Sequence, residues 1–307
     1  MTRTPEPLPS TLGPVFTAAE AFAAGVSARR LRAPDLGRVQ RGLYRRGPRF
    51  TPEDVARALR WSDTSVMLCG PTAAQVLGMP LPSALDVANT QQIQLTSAHA
   101  RRSSRMLIWH RLTIDRDDVL EARGCRLTGR VRTAMDLVEH LTPDDLVSVL
   151  DHLIRHPRPR FEGRSAPYAT PEGLRIAIDS SRKTGRRALR AALARARVGS
   201  DSPAETSLRL SLVRAGIPDP QLNVRVWEGG VDLGEPDLSW PEWKVCVEHE
   251  GPSHLTPEQL AKDIRRAKRR AAHGWLEIRT VAEHLRAGGR LAVHEVRGAL
   301  RSRGWQG

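Results

Sequence analysis

The 307-residue chain has only three cysteines, Cys69, Cys125 and Cys246, widely spaced and odd in number. This excludes a disulfide framework and any CxxC-type metal site. Its apolar runs are all short, too short for a membrane-spanning helix. The stretch MTRTPEPLPSTLGPVFTAAEAF lacks a basic segment followed by an apolar one, so no secretory signal is expected and the chain reads as cytoplasmic. Lysine is almost missing: 4 of the 48 basic residues are Lys and 44 are Arg. Such a bias is the mark of a GC-rich genome, so part of the arginine content reflects mutational drift rather than function.

The net charge is nonetheless +14, which points to a polyanionic partner, DNA first among them. The distribution says more than the total. Residues 1–200 carry 32 Arg plus Lys against 19 Asp plus Glu, whereas residues 201–307 carry 16 against 15. That last part is polarised, with its acids gathered in 201–250 and its bases in 262–303. An anion-binding groove beside a metal centre needs charge separated in this way.

Local signals divide the chain into 1–50, 51–155, 156–200 and 201–307. Residues 15–47 read as a winged helix-turn-helix. Thr17 N-caps a first helix with Glu20 in the capping-box position, Gly25 ends it, and Ser27 caps a second, short helix carrying Arg29, Arg30 and Arg32. A strand over Val39–Tyr44 contains Arg41 and Gly42. Arginines on a short helix suit a major groove, where phosphates and guanine edges accept from guanidinium. A solvated helical hairpin is the structural alternative.

The region 51–155 reads as α+β. A helix over 51–61 precedes a second that starts at Pro71 and stops at Gly78. Strands follow at 93–97 and 105–112, then an amphipathic helix around Asp144–Arg155. Its histidines, His99, His110, His140, His152 and His156, show no ligand spacing. Residues 156–169 read as a linker, and the helical stretch after them breaks at Gly185.

Residues 201–307 carry the chemistry. Ser202 and Pro203 start a helix that Gly216 stops. Strands are expected at 221–228, 231–239 and 243–250, joined at Gly229–Gly230 and Pro241–Glu242. A helix capped by Thr256 and stopped by Gly274, a strand over 275–280 and a helix over 290–303 complete the order αβββαβα. Alternation puts Cys246, Glu248 and Glu250 on one face of their strand. A two-residue turn at Pro241–Glu242 sets Asp237 opposite Cys246, diagonal to Glu248 and on the same face. A register slip of one would separate them.

Acids so close repel one another unless a cation intervenes, and a hard divalent ion, Mg²⁺ or Mn²⁺, suits an all-oxygen donor set. Asp237, Glu248 and Glu250 are the expected metal ligands. Glu205 is both a candidate fourth acid and the natural partner of Ser202 in a capping box. His254 is a candidate for orienting a phosphate or moving a proton. On the basic helix, Arg265, Arg266 and Arg269 are the expected phosphate contacts.

These residues carry a resemblance. SPAETSLRLSLVRAGIPDPQ, Pro236-Asp237, VCVEHEG, Gly251-x-x-His254 and KDIRRAKRRAAHGWLEIR resemble the very-short-patch-repair-type endonuclease domains of the PD-(D/E)xK superfamily. The resemblance implies a restriction-endonuclease-like αβββαβ core and Mg²⁺-dependent phosphodiester hydrolysis, with Asp237 as the motif aspartate and Glu248 as the first acid of (D/E)xK. Glu250 stands where the wider superfamily has lysine; the short-patch-repair branch also lacks that lysine. Residues 15–47 together with GRVRTAMDLVEHL (129–141) resemble AbiEi-type antitoxin and regulator proteins.

Two functions follow as expectations. One is a metal-dependent DNA endonuclease with an added DNA-binding module. The other is a non-catalytic DNA-binding regulator on a degenerate nuclease fold. A homodimer and a toxin partner are compatible with either, and a membrane partner with neither.

Overall fold

A computed structural model of the chain describes residues 5–251 and 256–307. It is α+β and divides into two units, Met1–His140 and Leu141–Gly307. Among the described residues, no helix is long and apolar enough to cross a membrane.

The first unit begins with β1 (Val15–Thr17), α1 (Ala18–Ala23), β2 (Gly37–Gln40) and β3 (Leu43–Arg45), an antiparallel sheet in the order β1-β3-β2. Thr17 caps α1 and Glu20 closes the box. Two expectations change here. Ser27 Oγ does accept from the backbone N–H of Arg30 at 3.1 Å, but it caps a single 3₁₀ turn, Arg30–Arg32, not an α-helix. Pro34 is the reason, since it biases Ala33 to the extended backbone seen there, φ −66°, ψ 145°. Arg41 and Gly42 form the β2–β3 turn rather than strand interior, and Gly42 takes φ +79°. Leu12, Phe16, Ala21, Val26 and Leu31 make the local core.

The rest of this unit comprises α2 (Pro52–Arg60), β4 (Met67–Leu68), α3 (Gly70–Val76), α4 (Val87–Thr90), β5 (Ile93–Thr96), β6 (Leu107–His110), β7 (Val119–Ala122), β8 (Cys125–Thr128) and α5 (Arg130–Asp136). The strands form one mixed sheet, β6-β5-β4-β8-β7. The apolar strands β5 and β6 fall within the expected strands at 93–97 and 105–112. The two-residue β4 is too short to carry a readable alternation, and the hairpin β7–β8, as long as β5 and β6, is broken up by the charged residues of VLEARGCRLT.

The second unit opens with α6 (Pro143–Ile154), α7 (Pro159–Glu162), α8 (Pro171–Ser180), α9 (Arg186–Arg195) and α10 (Pro203–Arg214). Grouped with the middle region on sequence, α6 instead packs on α9 and α10. Its apolar face, Leu146 to Ile154, is buried there. Asp151 accepts from Arg209 at 2.9 Å, from Thr206 at 2.8 Å and from the backbone N–H of Arg197 at 2.7 Å.

Then come β9 (Gln221–Leu222), β10 (Val226–Glu228), β11 (Val231–Gly234), β12 (Leu238–Trp240), β13 (Val245–Glu250), α11 (Pro257–Ala272), β14 (Leu276–Val281) and α12 (Arg286–Ser302). The expected strands 221–228 and 231–239 each split in two. One half of each enters the sheet β14-β13-β12-β9, and the other halves form a separate ribbon, β10-β11. The breaks have local causes. Asn223 adopts φ +52° in the first segment, and Gly234 takes φ +80° just before Pro236 in the second. In the sheet, β13 runs parallel to β14 and antiparallel to β12. One face buries Val245 and Val247 against Leu208, Leu212, Val296 and Leu300. Full burial of each such side chain contributes roughly 1.5–3 kcal/mol. The other face buries Cys246 with Val226, Leu233 and Trp275, and this is the face that carries the acids.

Candidate functional site

Pairing of β12 with β13 runs Leu238↔Val247, Ser239↔Cys246 and Trp240↔Val245. The connection is not the expected two-residue turn. It is a 3₁₀ turn, Pro241–Trp243, closed by Lys244 at φ +50°. The register therefore differs by two residues from the expected one. A slip of two leaves every side chain on its original face. Continued by one residue, the pairing sets Asp237 directly opposite Glu248 rather than diagonal to it.

Both acids are largely buried, and neither is comfortable there. Asp237 Oδ2 accepts from the backbone N–H of His249 at 2.7 Å. Burial first, and the nearby Glu205 carboxylate second, push Asp237 up to about 7. Burial and then the charge of Asp237 also raise Glu248. Like charges in a desolvated place behave this way.

The compensation is unequal. Glu248 Oε1 accepts from Arg270 Nη1 at 2.5 Å, and Arg266 Nη2 lies 3.5 Å from the same oxygen. Arg270 is 1% exposed and also binds Glu277 at 2.8 Å and the carbonyl of Leu233 at 2.9 Å. No cation is paired with Asp237 among the described residues. Among those residues Asp237 Oδ1 and Glu248 Oε2 also have no hydrogen-bond donor, so each acid keeps one oxygen uncommitted.

The other predicted residues are placed differently. Glu205 is a capping residue. Its Oε1 accepts from Ser202 Oγ at 2.8 Å, and its Oε2 accepts from the backbone N–H of Asp201 at 2.9 Å and from Asn223 Nδ2 at 2.8 Å. Its charge still acts on Asp237, but its oxygens are taken. Glu250 shares the strand face by alternation, yet it accepts from Arg279 on β14 at 2.7 Å and stays half-exposed. His254 lies outside the described residues. On α11, Arg265 and Arg269 are exposed, while Arg266 turns toward Asp263 and Glu248. In the first unit Arg29, Arg32 and Arg41 are exposed. Arg30 is not available to a groove, because both its terminal nitrogens are held by Asp35 at 2.9 and 2.7 Å and its side chain is 10% exposed.

Two residues of the site were missed in sequence. Asn223 donates its backbone N–H to the carbonyl of Asp237 at 3.1 Å and its side-chain amide to Glu205 and to the carbonyl of Gly199. Its signal was present: an asparagine inside an apparent strand, of the residue type that tolerates a left-handed backbone. Arg158, from the supposed linker, binds Asn223 Oδ1 at 2.9 Å, Glu235 at 3.3 Å and Asp201. Nothing local in the sequence marked it.

Among the described residues, no group of three or more His, Cys, Asp or Glu side chains is arranged to hold a metal ion. The set of Asp237, Glu248 and Glu250 is therefore not gathered, whereas Asp237 and Glu248 are. Two carboxylates suffice for Mg²⁺, which commonly takes one or two acids and fills its shell with water and substrate phosphate. One uncommitted oxygen on each of two facing acids fits that requirement.

No protein-family model matches the chain, and no solved structure matches it significantly. Uncharacterized proteins from two strains of Mycobacterium tuberculosis, CDC 1551/Oshkosh and ATCC 25618/H37Rv, are 25% identical to it over 189 residues. The match covers 59% of this chain and 66% of each relative, so just under two thirds of the relatives' length is spanned.

Proposed function

We propose that the protein is a DNA endonuclease dependent on Mg²⁺ or Mn²⁺, of the very-short-patch-repair-like type, with its reaction site at Asp237 and Glu248. One observation carries this reading. A half-buried Asp237 and a buried Glu248 stand on one sheet face where the β12–β13 register, continued by one residue, sets them opposite each other, and Asp237 has no paired cation among the described residues and is pushed up to about 7. A doubly charged ion bound there supplies Lewis-acid polarisation of a phosphoryl oxygen and an activated water. The chain's own residues do the rest. The backbone N–H of His249 orients Asp237, and Arg270 fixes Glu248 with one oxygen left over. Arg266 brings a cation to this face, which has Glu250 where the wider superfamily has lysine. Arg265 and Arg269, exposed on α11, neutralise backbone phosphates.

Incubating supercoiled plasmid with the protein and Mg²⁺ or Mn²⁺ tests the reading. Nicking by the wild type that disappears in Asp237→Asn and Glu248→Gln is the expected result. No nicking of any substrate, mismatched and branched DNA included, rejects it.

A second reading has its own observation. The ion pairs Arg270–Glu248 and Arg279–Glu250 already neutralise two of the acids from within. A non-catalytic DNA-binding regulator on a degenerate nuclease fold would look like this. It requires DNA binding at the protein's own upstream region that is unchanged by Asp237→Ala and by divalent ions.

A further inference from the structure

A cleft of about 620 Å³ lies between the start of α6, the end of α9 and the second half of α10, away from the acid pair. Arg195, Arg197, Arg209 and Arg214 line it, with only Asp144 and Asp219 as acids. Asp144 is shared: Arg195 reaches one of its oxygens at 2.7 Å and Arg214 the other. Arg197 pairs with Asp219 at 2.9 Å. The side chain of Arg209 is 2% exposed, and it is spent on the scaffold: Nη1 donates to the carbonyl of Arg195 at 2.9 Å and Nη2 to Asp151 at 2.9 Å.

Helix-end electrostatics accounts for part of this. Asp144 lies in the first turn of α6, while Arg195 and Arg214 lie in the last turns of α9 and α10, as the helix dipoles favour. It does not account for two guanidinium groups on one half-exposed carboxylate. An oxyanion richer in acceptors than Asp144 would use both arginines at once, and guanidinium is the natural partner of phosphate. Leu210 and Val213 supply an apolar wall beside the arginines, suited to the flat face of a base.

We propose that this cleft binds the phosphate of a nucleotide, with Arg195 and Arg214 as the direct ligands and Asp144 holding their place until it arrives. The nucleotide is either free or part of a DNA strand. The site uses none of the residues of the acid pair and stands whether or not that pair is hydrolytic.

Calorimetry on the full chain without divalent ions tests it, using deoxyadenosine 5′-monophosphate, deoxyadenosine and a 12-nucleotide single strand. A free nucleotide as the source predicts binding of the monophosphate but not the nucleoside. A strand as the source predicts binding of the 12-mer alone, with a salt slope that falls by about 1.4 when two phosphate contacts are removed. The double variant Arg195→Gln/Arg214→Gln abolishes binding of the monophosphate, or weakens the 12-mer with that drop in slope, and Asp144→Asn, which frees both arginines, tightens either probe several-fold. Loss of an exposed carboxylate elsewhere on the surface, as in Asp179→Asn, strengthens anion binding only through general charge, so a gain for Asp144→Asn above that control decides the matter even if the double variant fails to fold. The proposal is overturned if no probe binds the wild type, or if Asp144→Asn leaves binding unchanged.

Discussion

Two aspartates of the second unit, Asp151 buried and Asp237 half-buried, differ in how their charge is answered. Asp151 is 1% exposed and fully answered. Arg209, Thr206 and the backbone of Arg197 all donate to it, and two of these come from the helix it packs against. Asp237 is also pushed into the protein, but it receives one backbone donor, faces Glu248 across the strands and feels Glu205 behind it. Burial raises both acids. At Asp151 a guanidinium opposes the rise at hydrogen-bond distance, and at Asp237 it does not. A buried carboxylate that is satisfied holds helices together, whereas one left short of positive charge is a place to put a cation.

The largest expected effect breaks the scaffold member of this pair. Removing one partner of a buried ion pair strands the other, at a cost of about 3–5 kcal/mol. Asp151→Ala should therefore lower unfolding stability by that order in urea titration, with no recovery on adding Mn²⁺. A small change would mean that the α6–α10 contact is not what holds this aspartate.

Asp237 should do the opposite. Its folded value of about 7 lies above the ordinary 3.8, so the folded state binds more protons between those values. Stability contributed by the protonated form is complete below about pH 4 and is lost as pH rises toward 7, by at most about 4 kcal/mol. Asp237→Asn should flatten that fall and make the protein more stable than wild type at pH 8 and close to it at pH 5. Saturating Mn²⁺ at pH 8 should raise the melting temperature of the wild type and leave Asp237→Asn where it is. A variant less stable than wild type at pH 8 would make Asp237 structural.

Arg270 sharpens the comparison, since it holds Glu248 while being buried like a scaffold residue. Arg270→Lys keeps the charge but cannot keep three directed contacts. We expect a loss of about 1–3 kcal/mol in unfolding stability. We also expect weaker Mn²⁺ binding by calorimetry, because Glu248 loses its fixed orientation. The smallest effect belongs to the half-exposed pair Glu250–Arg279, which joins β13 and β14. Arg279→Ala should cost under about 1 kcal/mol, as for exposed ion pairs generally, and leave Mn²⁺ affinity unchanged. A clear gain of Mn²⁺ affinity, from the carboxylate so freed, would bring Glu250 back into the site.

The helix ends were the most legible part of the chain. Thr17 with Glu20, Ser202 before Pro203, and the stops at Gly216 and Gly274 all stand where their local chemistry puts them. Each depends on a few adjacent residues, so a linear reading can find it. The strands were less legible. A run such as QLNVRVWE looks continuous until Asn223 turns left-handed and sends its two halves to different sheets. The face shared by Asp237 and Glu248 was readable from alternation alone, and it survived a wrong turn because the error was an even number of residues.

What the sequence determined by itself was local: where helices start and stop, which residues alternate onto one strand face, and where charge of each sign accumulates. Only the tertiary structure decided which acids are spent. Glu205 closes a cap, Glu248 gives one oxygen to an arginine 22 residues further along the chain, and Glu250 gives its charge to Arg279. The reason is physical. Capping and alternation are properties of contiguous backbone, whereas the neutralisation of a charge depends on which guanidinium the folded chain brings within about 3 Å, and no spacing along the sequence encodes that distance.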